Sequence, residues 1–414
     1  MALIVQKYGG SSVADAEKIL NVASRVARAH DDGNQVVITI SAMGNTTDEL
    51  IELAGQVTGH PNPREMDALL STGEMVSCTL MAMALRDMGY EAISLSGAQA
   101  GIHTDTSYGK ARIAGIDPAR VHQELDKGNI VIVAGFQGIT EDMDVTTLGR
   151  GGSDTTAVAL AAGLGAARCE IYTDVDGIYT ADPKLVPSAR KMDEVGFEEM
   201  LELASYGAKM NPRSIEFGMY YNVPILVASS FSDNPGTIIH GGGDMEVNVG
   251  EIRNRVRGIA TDTNVAKITI HGVTDRPGIA ASLFQPLADA DVSVDVIVQN
   301  ASVRGTTDMT FTVNRTDLAR ALEVVEPIMR ELGSGSYTSA DNLAKISIVG
   351  TGMQDAPGYA SRMFRALADG DINIDMITTS EIRITCLVDE RQLADAANAL
   401  HEAFQLDKPQ EHAG

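Results

Sequence analysis

Between Met1 and about His240, short runs of β-branched and aliphatic residues alternate with longer stretches whose apolar positions recur three and four residues apart. The short runs predict strands at Ala2–Val5, Val36–Ile40, Glu91–Leu95, Ile130–Ala134, Cys169–Thr173 and Val223–Ala228. The longer stretches predict helices at Ala14–Ala29, Arg64–Met88, Asp154–Leu164 and Phe197–Ala204. Such alternation builds a mostly parallel sheet with helices on both faces, a three-layer α/β/α domain. Ligands of these folds sit beyond the carboxyl ends of the strands, and the glycine-rich turns of this region fall there.

The pattern breaks at "HGGGDMEVNVGE" (His240–Glu251), which lacks apolar periodicity and reads as a linker. Beyond it the chain repeats itself. The segment from Lys267, "KITIHGVTDRPGIAASLFQPLADADVSVDVIVQN", returns from Lys345 as "KISIVGTGMQDAPGYASRMFRALADGDINIDMITTS". Pro277, Gly278, Phe284, Leu287, Ala288, Asp289, Asp291, Asp295 and Ile297 each recur 80 positions on. Each copy reads strand, Pro-Gly turn, helix, strand, strand, helix, so duplication predicts two small α/β units whose edges can pair. The expected organisation is one domain over 1–240, a linker over 241–262, and repeat units over 263–335 and 336–408.

Composition narrows the choice of function. A chain of 414 residues suits two or three domains. Its net charge of −24 argues against nucleic acid as a partner, because phosphate backbones need a clustered positive field. Cations placed inside glycine-rich loops of so acidic a chain become informative. Cys78, Cys169 and Cys386 lie far apart, with no CxxC pair, and read as buried apolar residues in a reducing compartment. The N-terminus reads as a strand rather than a cleavable signal, and no apolar run approaches the length of a membrane span. A soluble, cytoplasmic protein is expected.

Three segments carry the candidate chemistry. In "QKYGGSS" (Gln6–Ser12), Gly9 and Gly10 let backbone N–H groups approach an anion, Lys7 adds a full charge, and the following helix adds its positive end. The same letters also suit a plain tight turn. In "TTLGRGGSDTTAVAL" (Thr146–Leu160), Arg150 stands among three glycines before Ser153 and Asp154. Capping a helix explains Ser153 or Asp154 but not the arginine. A guanidinium beside a carboxylate suits a zwitterion, Arg150 taking its carboxylate and Asp154 its ammonium. In "YTDVDGIYTADPK" (Tyr172–Lys184), Asp176 and Asp182 suit Asx-turns. The alternative there is a nucleotide pocket, with Tyr179 against a base and Asp174 or Asp182 on its polar edges. Calcium-loop spacing is absent.

Further candidates are weaker. Glu74, in an apolar helix, reads as a snorkelling or capping residue; Ser41 and Thr47 read as N-caps or as hydroxyls for phosphate and substrate. Lys209 closes a helical stretch, where a cation needs no further role. No nucleophilic triad, GxSxG elbow or HExxH motif appears. Lysines, glycine-rich backbone and one arginine instead describe electrostatic stabilisation of a transferring phosphoryl group.

With these motifs assembled, the chain resembles the monofunctional aspartate kinases of the amino-acid-kinase superfamily. The likeness runs through "KYGGSSV", "SAMG", "LLSTGE", "VAGFQG", "TTLGRGGSDTTAVALAA" and "YTDVDGIYTADP". It then covers both repeats, which are similar to ferredoxin-like βαββαβ ACT units. The resemblance implies transfer of the γ-phosphoryl group of ATP, with Mg2+ held by phosphates and water, to the β-carboxylate of L-aspartate. Its product, 4-phospho-L-aspartate, opens lysine, threonine and methionine synthesis. Residue by residue, the resemblance implies that Lys7, Tyr8, Gly9 and Gly10 hold phosphate, with Lys209 on the other side. Arg150 and Asp154 would grip aspartate, and Ser41, Thr47, Glu74, Gly151, Gly152 and Ser153 would complete that pocket. Thr173, Asp174, Tyr179, Asp182 and Lys184 would line the nucleotide site. One departure stands out: only Met210, Asn211 and Pro212 separate Lys209 from Arg213, where relatives have four residues. Pro212 disfavours helical geometry at Asn211, so a different path after Lys209 is expected.

The ACT pair implies feedback inhibition by lysine and threonine acting together. Asp275, Gly278, Ile279 and Ala280 would bind effector backbone groups, with Gln299 and Asn300 opposite. The second copy, with "SEIR" (Ser380–Arg383), would pair with the first across a homo-oligomer interface. Met245 in the linker would suit an internal start for a separate regulatory subunit. The rival readings are a catalytically inactive amino-acid sensor and a kinase of the same superfamily acting on another substrate. A fusion with homoserine dehydrogenase is not expected, since no GxGxxG unit follows the repeats.

Overall fold

The N-terminal strand runs further than its aliphatic residues alone predict. In the computed structural model β1 spans Leu3–Tyr8, so Gln6 and Lys7 belong to the strand and the turn begins at Gly9, with a 3-10 turn over Gly10–Val13. Pairing on both sides explains the extension: β1 lies between β2 (Gln35–Ile40) and β9 (Arg168–Thr173), with Lys7 opposite Thr39 and Ile171. The structure describes residues 2–205, 210–241, 256–300, 305–332, 336–351, 353 and 357–408. The chain divides into two units, Met1–Tyr179 with Lys191–Gly250, and Thr180–Arg190 with Glu251–Gly414.

In the first unit, β1 is followed by α1 (Ala16–Asp31), β2, α2 (Thr46–Val57) and α3 (Pro63–Asp87). Then come β3 (Ala92–Leu95), β4 (Ile102–Thr104), β5 (Ile113–Ile116), α4 (Ala119–Asp126), β6 (Ile130–Ala134), β7 (Gln137–Ile139) and β8 (Val145–Thr147). α5 (Gly152–Leu164), β9, β10 (Glu194–Gly196), α6 (Phe197–Ser205), α7 (Pro212–Tyr221), β11 (Ile225–Ser229) and β12 (Thr237–His240) complete it. Eight strands form the main sheet in the order β10-β12-β11-β9-β1-β2-β6-β3. All neighbours are parallel except β11 and β12. A second sheet, β5-β4-β7-β8, was not foreseen; three- and four-residue strands are too short for alternation to show.

Burial follows from the layers. Every residue of β6 is buried, as expected of a strand covered on both faces. α1 starts two residues later than its apolar pattern predicts, because Asp15 caps it by accepting from the Lys18 N–H at 2.9 Å. It buries Ile19, Val22, Ala23 and Val26 in the same core as Met81 and Leu85 of α3. Each large side chain so buried contributes about 1.5–3 kcal/mol. α3 corrects one expectation: its 25 residues are long and apolar enough to cross a membrane, although half of its most apolar window lies inside the fold.

The second unit runs β13 (Gly258–Thr274), α8 (Ile279–Asp289), β14 (Val294–Gln299), β15 (Thr306–Val313), α9 (Leu318–Leu332), β16 (Ser336–Val349), α10 (Tyr359–Asp369), β17 (Met376–Thr379), β18 (Arg383–Asp389) and α11 (Leu393–Ala403). They form one antiparallel sheet, β14-β15-β13-β16-β18-β17. The two repeats interlock through their long strands. The start of β13, Gly258–Asp262, pairs with Lys345–Val349, while its later part, Lys267–His271, pairs with Ser336–Ala340. Each repeat thus takes its fourth strand from the strand that opens the other, and the expected boundary at 263 falls within β13. Crossed ion pairs respect the same symmetry: Lys267 meets Asp375 and Lys345 meets Asp295.

Thr180–Arg190 packs with the second repeat. Ala181 and Val186 share a core with Ile259, Ile346, Leu367 and Leu400. The Ile259 N–H donates to the Thr180 carbonyl at 2.7 Å, and Asn398 donates to the Leu185 carbonyl at 2.9 Å. Buried His401 joins Thr180 Oγ1 through Nε2 at 3.0 Å and Ser188 Oγ through Nδ1 at 3.3 Å.

Candidate active site

The carboxyl ends of β1, β2, β6 and β9 converge on one side of the main sheet. Lys7, half a strand in from the expected turn, reaches Asp154 of α5 with Nζ 2.6 Å from Oδ1, both side chains about nine-tenths buried at 11% and 12% exposure. The glycine pair lies directly beyond. A Cβ on Gly10 would stand 2.7 Å from the Ala42 carbonyl oxygen, and one on Gly9 would stand 3.5 Å from Lys7 Nζ. Gly10 is thus required by close backbone packing against the loop after β2, while a side chain at Gly9 would crowd the Lys7 ammonium. Tyr8 departs from the phosphate reading: it is fully buried, stacks on Tyr172 and donates from its hydroxyl to Gln6.

The Arg-Gly-Gly loop enters α5 through Gly151, whose φ of 73° places it in the left-handed region. Gly151 is the cap residue, so neither Ser153 nor Asp154 serves as one, and both face inward from the first turn. A Cβ on Gly135, after β6, would lie 2.9 Å from Ser153 Oγ. Arg150 is exposed, and its guanidinium makes no hydrogen bond or ion pair among the described residues. An exposed cation on the loop that leads into a helix carrying a buried carboxylate suits a zwitterion.

Glu74 proves to be neither snorkelling nor capping. It is buried in α3, accepts from the Ala42 N–H through Oε1 at 3.2 Å, and leaves Oε2 without a partner among the described residues. Burial pushes its carboxyl up to about 7, against the opposing effect of that hydrogen bond. Ser77, one turn along, donates to the Ser41 carbonyl at 2.7 Å, so α3 clamps the loop after β2 at two points. Ser41 follows that strand and Thr47 is the second residue of α2; Asn45 holds the cap position, so neither is an N-cap.

The third segment divides. Thr173 donates to Asp174 Oδ1 at 3.2 Å, and Tyr179 donates to Asp176 Oδ1 at 2.8 Å, which with burial holds the Tyr179 phenol above its ordinary value. Asp182 and exposed Lys184 belong to the second unit, where Asp182 accepts from the Lys184 N–H at 2.9 Å in an Asx-turn. Lys209 and Met245 lie outside the described residues. In the first repeat, Gly278 has a φ of 90° and caps α8, Ile279 is buried in the core, Ala280 is partly buried, and Asp275, Gln299 and Asn300 are exposed. The Asp275 N–H donates to Gly305 and Thr307 donates to the Asn300 carbonyl.

Several supporting residues escaped the sequence reading. Asp67, 1% exposed, accepts from the Gly109 N–H, the Thr147 N–H and Thr147 Oγ1 at 2.7–3.0 Å, fixing β8 ahead of the Arg150 loop. Its signal was available: it lies two helical turns from Glu74 on the same face of α3. Arg213 donates to the Leu148 and Ala111 carbonyls at 2.8 and 3.0 Å, and Asn211 donates to the Arg150 carbonyl at 2.9 Å. No local pattern marks these contacts, which span 61 to 102 residues.

A parallel α/β/α sheet that gathers a lysine, a glycine pair and an arginine-glycine loop at its strand ends, followed by a duplicated ferredoxin-like unit, defines an amino-acid kinase with a regulatory module. Residues 2–229 match the amino acid kinase family, and residues 268–327 and 346–404 match the ACT domain. The aspartokinases of Mycolicibacterium smegmatis and Corynebacterium glutamicum are each 51% identical over 413 residues, 98% of this chain and 97% of theirs. The structure of E. coli aspartokinase III in complex with aspartate and ADP aligns with a TM-score of 0.78 at 26% identity, over 97% of this chain and 100% of that one. The same enzyme with lysine and aspartate gives 0.75 at 26% identity, over 97% and 99%. The chain belongs to the aspartate kinase family, and it is an ATP-using kinase.

Proposed function

We propose that this kinase transfers the ATP γ-phosphoryl group to the β-carboxylate of L-aspartate, giving 4-phospho-L-aspartate for lysine, threonine and methionine synthesis. The observation that carries the reading is the nine-tenths-buried pair of Lys7 with Asp154, which stands on the first turn of the helix that the Arg150 loop enters. Arg150 takes the α-carboxylate of aspartate in a bidentate pair, and Asp154 takes its ammonium. That ammonium competes with Lys7 for Asp154, so substrate binding frees Lys7 to turn toward the phosphates above Gly9 and Gly10. Lys7 then neutralises charge on the transferring group, which is the main demand of phosphoryl transfer. Glu74 offers its unpartnered oxygen, and Ser41, Thr47, Gly151, Gly152 and Ser153 shape the pocket. Thr173, Asp174 and Tyr179 are assigned to the nucleotide, Lys209 to the phosphates, and Mg2+ accompanies the nucleotide.

The Asp275–Ala280 turn, with Gln299 and Asn300, is assigned to lysine and threonine as joint feedback inhibitors in a cytoplasmic homo-oligomer paired through its ACT units. A regulatory subunit starting near Met245 belongs to the same proposal. The similarity to an aspartokinase solved with lysine and aspartate supports this part. The test is to trap the acyl phosphate with hydroxylamine. Aspartyl hydroxamate that falls when lysine and threonine are added together supports both halves. Product without inhibition removes the feedback assignment, and no product from folded protein with Mg-ATP overturns the catalytic one.

A further inference from the structure

We infer that Asn211 is a positioning residue for Arg150, and that its side-chain amide sets where the guanidinium meets the substrate carboxylate. The inference rests on the reading of Arg150 as the carboxylate grip. Asn211 uses both ends of its amide. Oδ1 accepts from the Arg213 N–H at 2.9 Å and so caps α7, while Nδ2 donates to the Arg150 carbonyl at 2.9 Å. Pro212 fills the first helical position after the cap, where its missing N–H leaves nothing unsatisfied.

The fit between helix and loop is close. A Cβ on Gly151 would lie 2.3 Å from Asn211 Nδ2 and 3.0 Å from Asn211 Cβ. Any side chain at 151 would therefore drive the cap away from the loop. Arg213, two residues further, ties the Leu148 and Ala111 carbonyls, two residues ahead of Arg150 and on the adjoining segment. Gly149 and Gly151, with φ of 78° and 73°, give the Arg150 backbone freedom that must be removed by something else. Asn211 removes it, because its amide is itself held by the helix it caps. Arg150, whose side chain has no partner of its own among the described residues, depends on its backbone for its direction.

The experiment compares the full chain with Asn211→Asp and Asn211→Ser, measuring melting temperature and KM for aspartate and for ATP. Both replacements keep an oxygen to cap α7 and remove the N–H donor, and serine adds no charge. The expected result is a rise of about tenfold in KM for aspartate in both variants. kcat and KM for ATP should stay within about twofold, and melting should shift by no more than a few degrees. An unchanged KM for aspartate, a rise in the aspartate variant alone, or a large melting loss with kcat and both KM values disturbed together would each overturn the inference. Arg150→Lys separates it from its premise. If KM for aspartate is unaffected by that change, the grip reading itself fails; if KM rises while the Asn211 variants stay normal, only the present inference does.

Discussion

Glu74 and His401 are both sealed from solvent, at 3% and 1% exposure, yet their surroundings treat them oppositely. Glu74 has one engaged oxygen and one bare one, and its carboxyl is held up near 7 by burial. His401 has hydroxyl partners on both nitrogens, and burial holds its imidazole below the ordinary value. A buried polar atom without a partner costs about 1–3 kcal/mol. A fold carries that cost where something else supplies the missing bond, which is the case for a substrate pocket. The full complement at His401 marks a structural joint instead, one that fastens Thr180–Arg190 to α11. The catalytic unit stores its polar groups for a ligand, whereas the second repeat spends its own on packing.

The largest effect should come from the pocket. Asp154→Asn is expected to lower kcat/KM for aspartate by roughly 100- to 1,000-fold, read by hydroxamate formation; a loss below tenfold would erase the contrast. Next are the equivalent core leucines of the two repeats. Leu287→Ala and Leu367→Ala should each cost about 3 kcal/mol in denaturant melts. Only the second should speed amide exchange in residues 180–190, because only Leu367 shares a core with Ala181 and Val186. Equal exchange in both variants would show the two repeats to be alike after all.

Titration sharpens the comparison further. The folded chain keeps the Glu74 proton to about pH 7, while the unfolded chain releases it near 4.3. The folded state therefore binds more protons across that window, and stability contributed by this site falls as pH rises through it. Glu74→Gln should flatten that slope and raise the melting temperature at pH 8; a variant with an unaltered pH profile would contradict the assignment. His401 has the opposite sign. Its depressed value means that the unfolded chain gains a proton first as pH drops through about 6.5, so the joint weakens in acid. Amide protection factors over residues 180–190, corrected for the slower intrinsic exchange in acid, should fall from pH 7.5 to 5.5 in the native chain, and His401→Phe should remove that dependence. The smallest effect belongs to the crossed ion pairs. Lys267→Met or Lys345→Met should cost at most about 1 kcal/mol, with the cost shrinking at high salt.

Periodicity, punctuation and repetition are local properties, and the chain alone determined everything that depends on them. The alternating strands and helices, the parallel sheet and the duplicated unit were legible, and the sequence also singled out Lys7 and Asp154, which the fold brings together. Element ends were less so: Lys7 lies in β1 rather than in the turn because neighbouring strands extend the ladder past its aliphatic residues. Tertiary structure alone decided which distant groups meet. It placed Lys7 against Asp154, 147 residues away by number, set the cap of α7 where Asn211 reaches the Arg150 carbonyl, buried Glu74 with one oxygen unpartnered among the described residues, and sent Thr180–Arg190 into the second unit. Hydrogen bonds and burial between remote segments leave no spacing pattern in a sequence, since their partners are chosen by packing rather than by position along the chain.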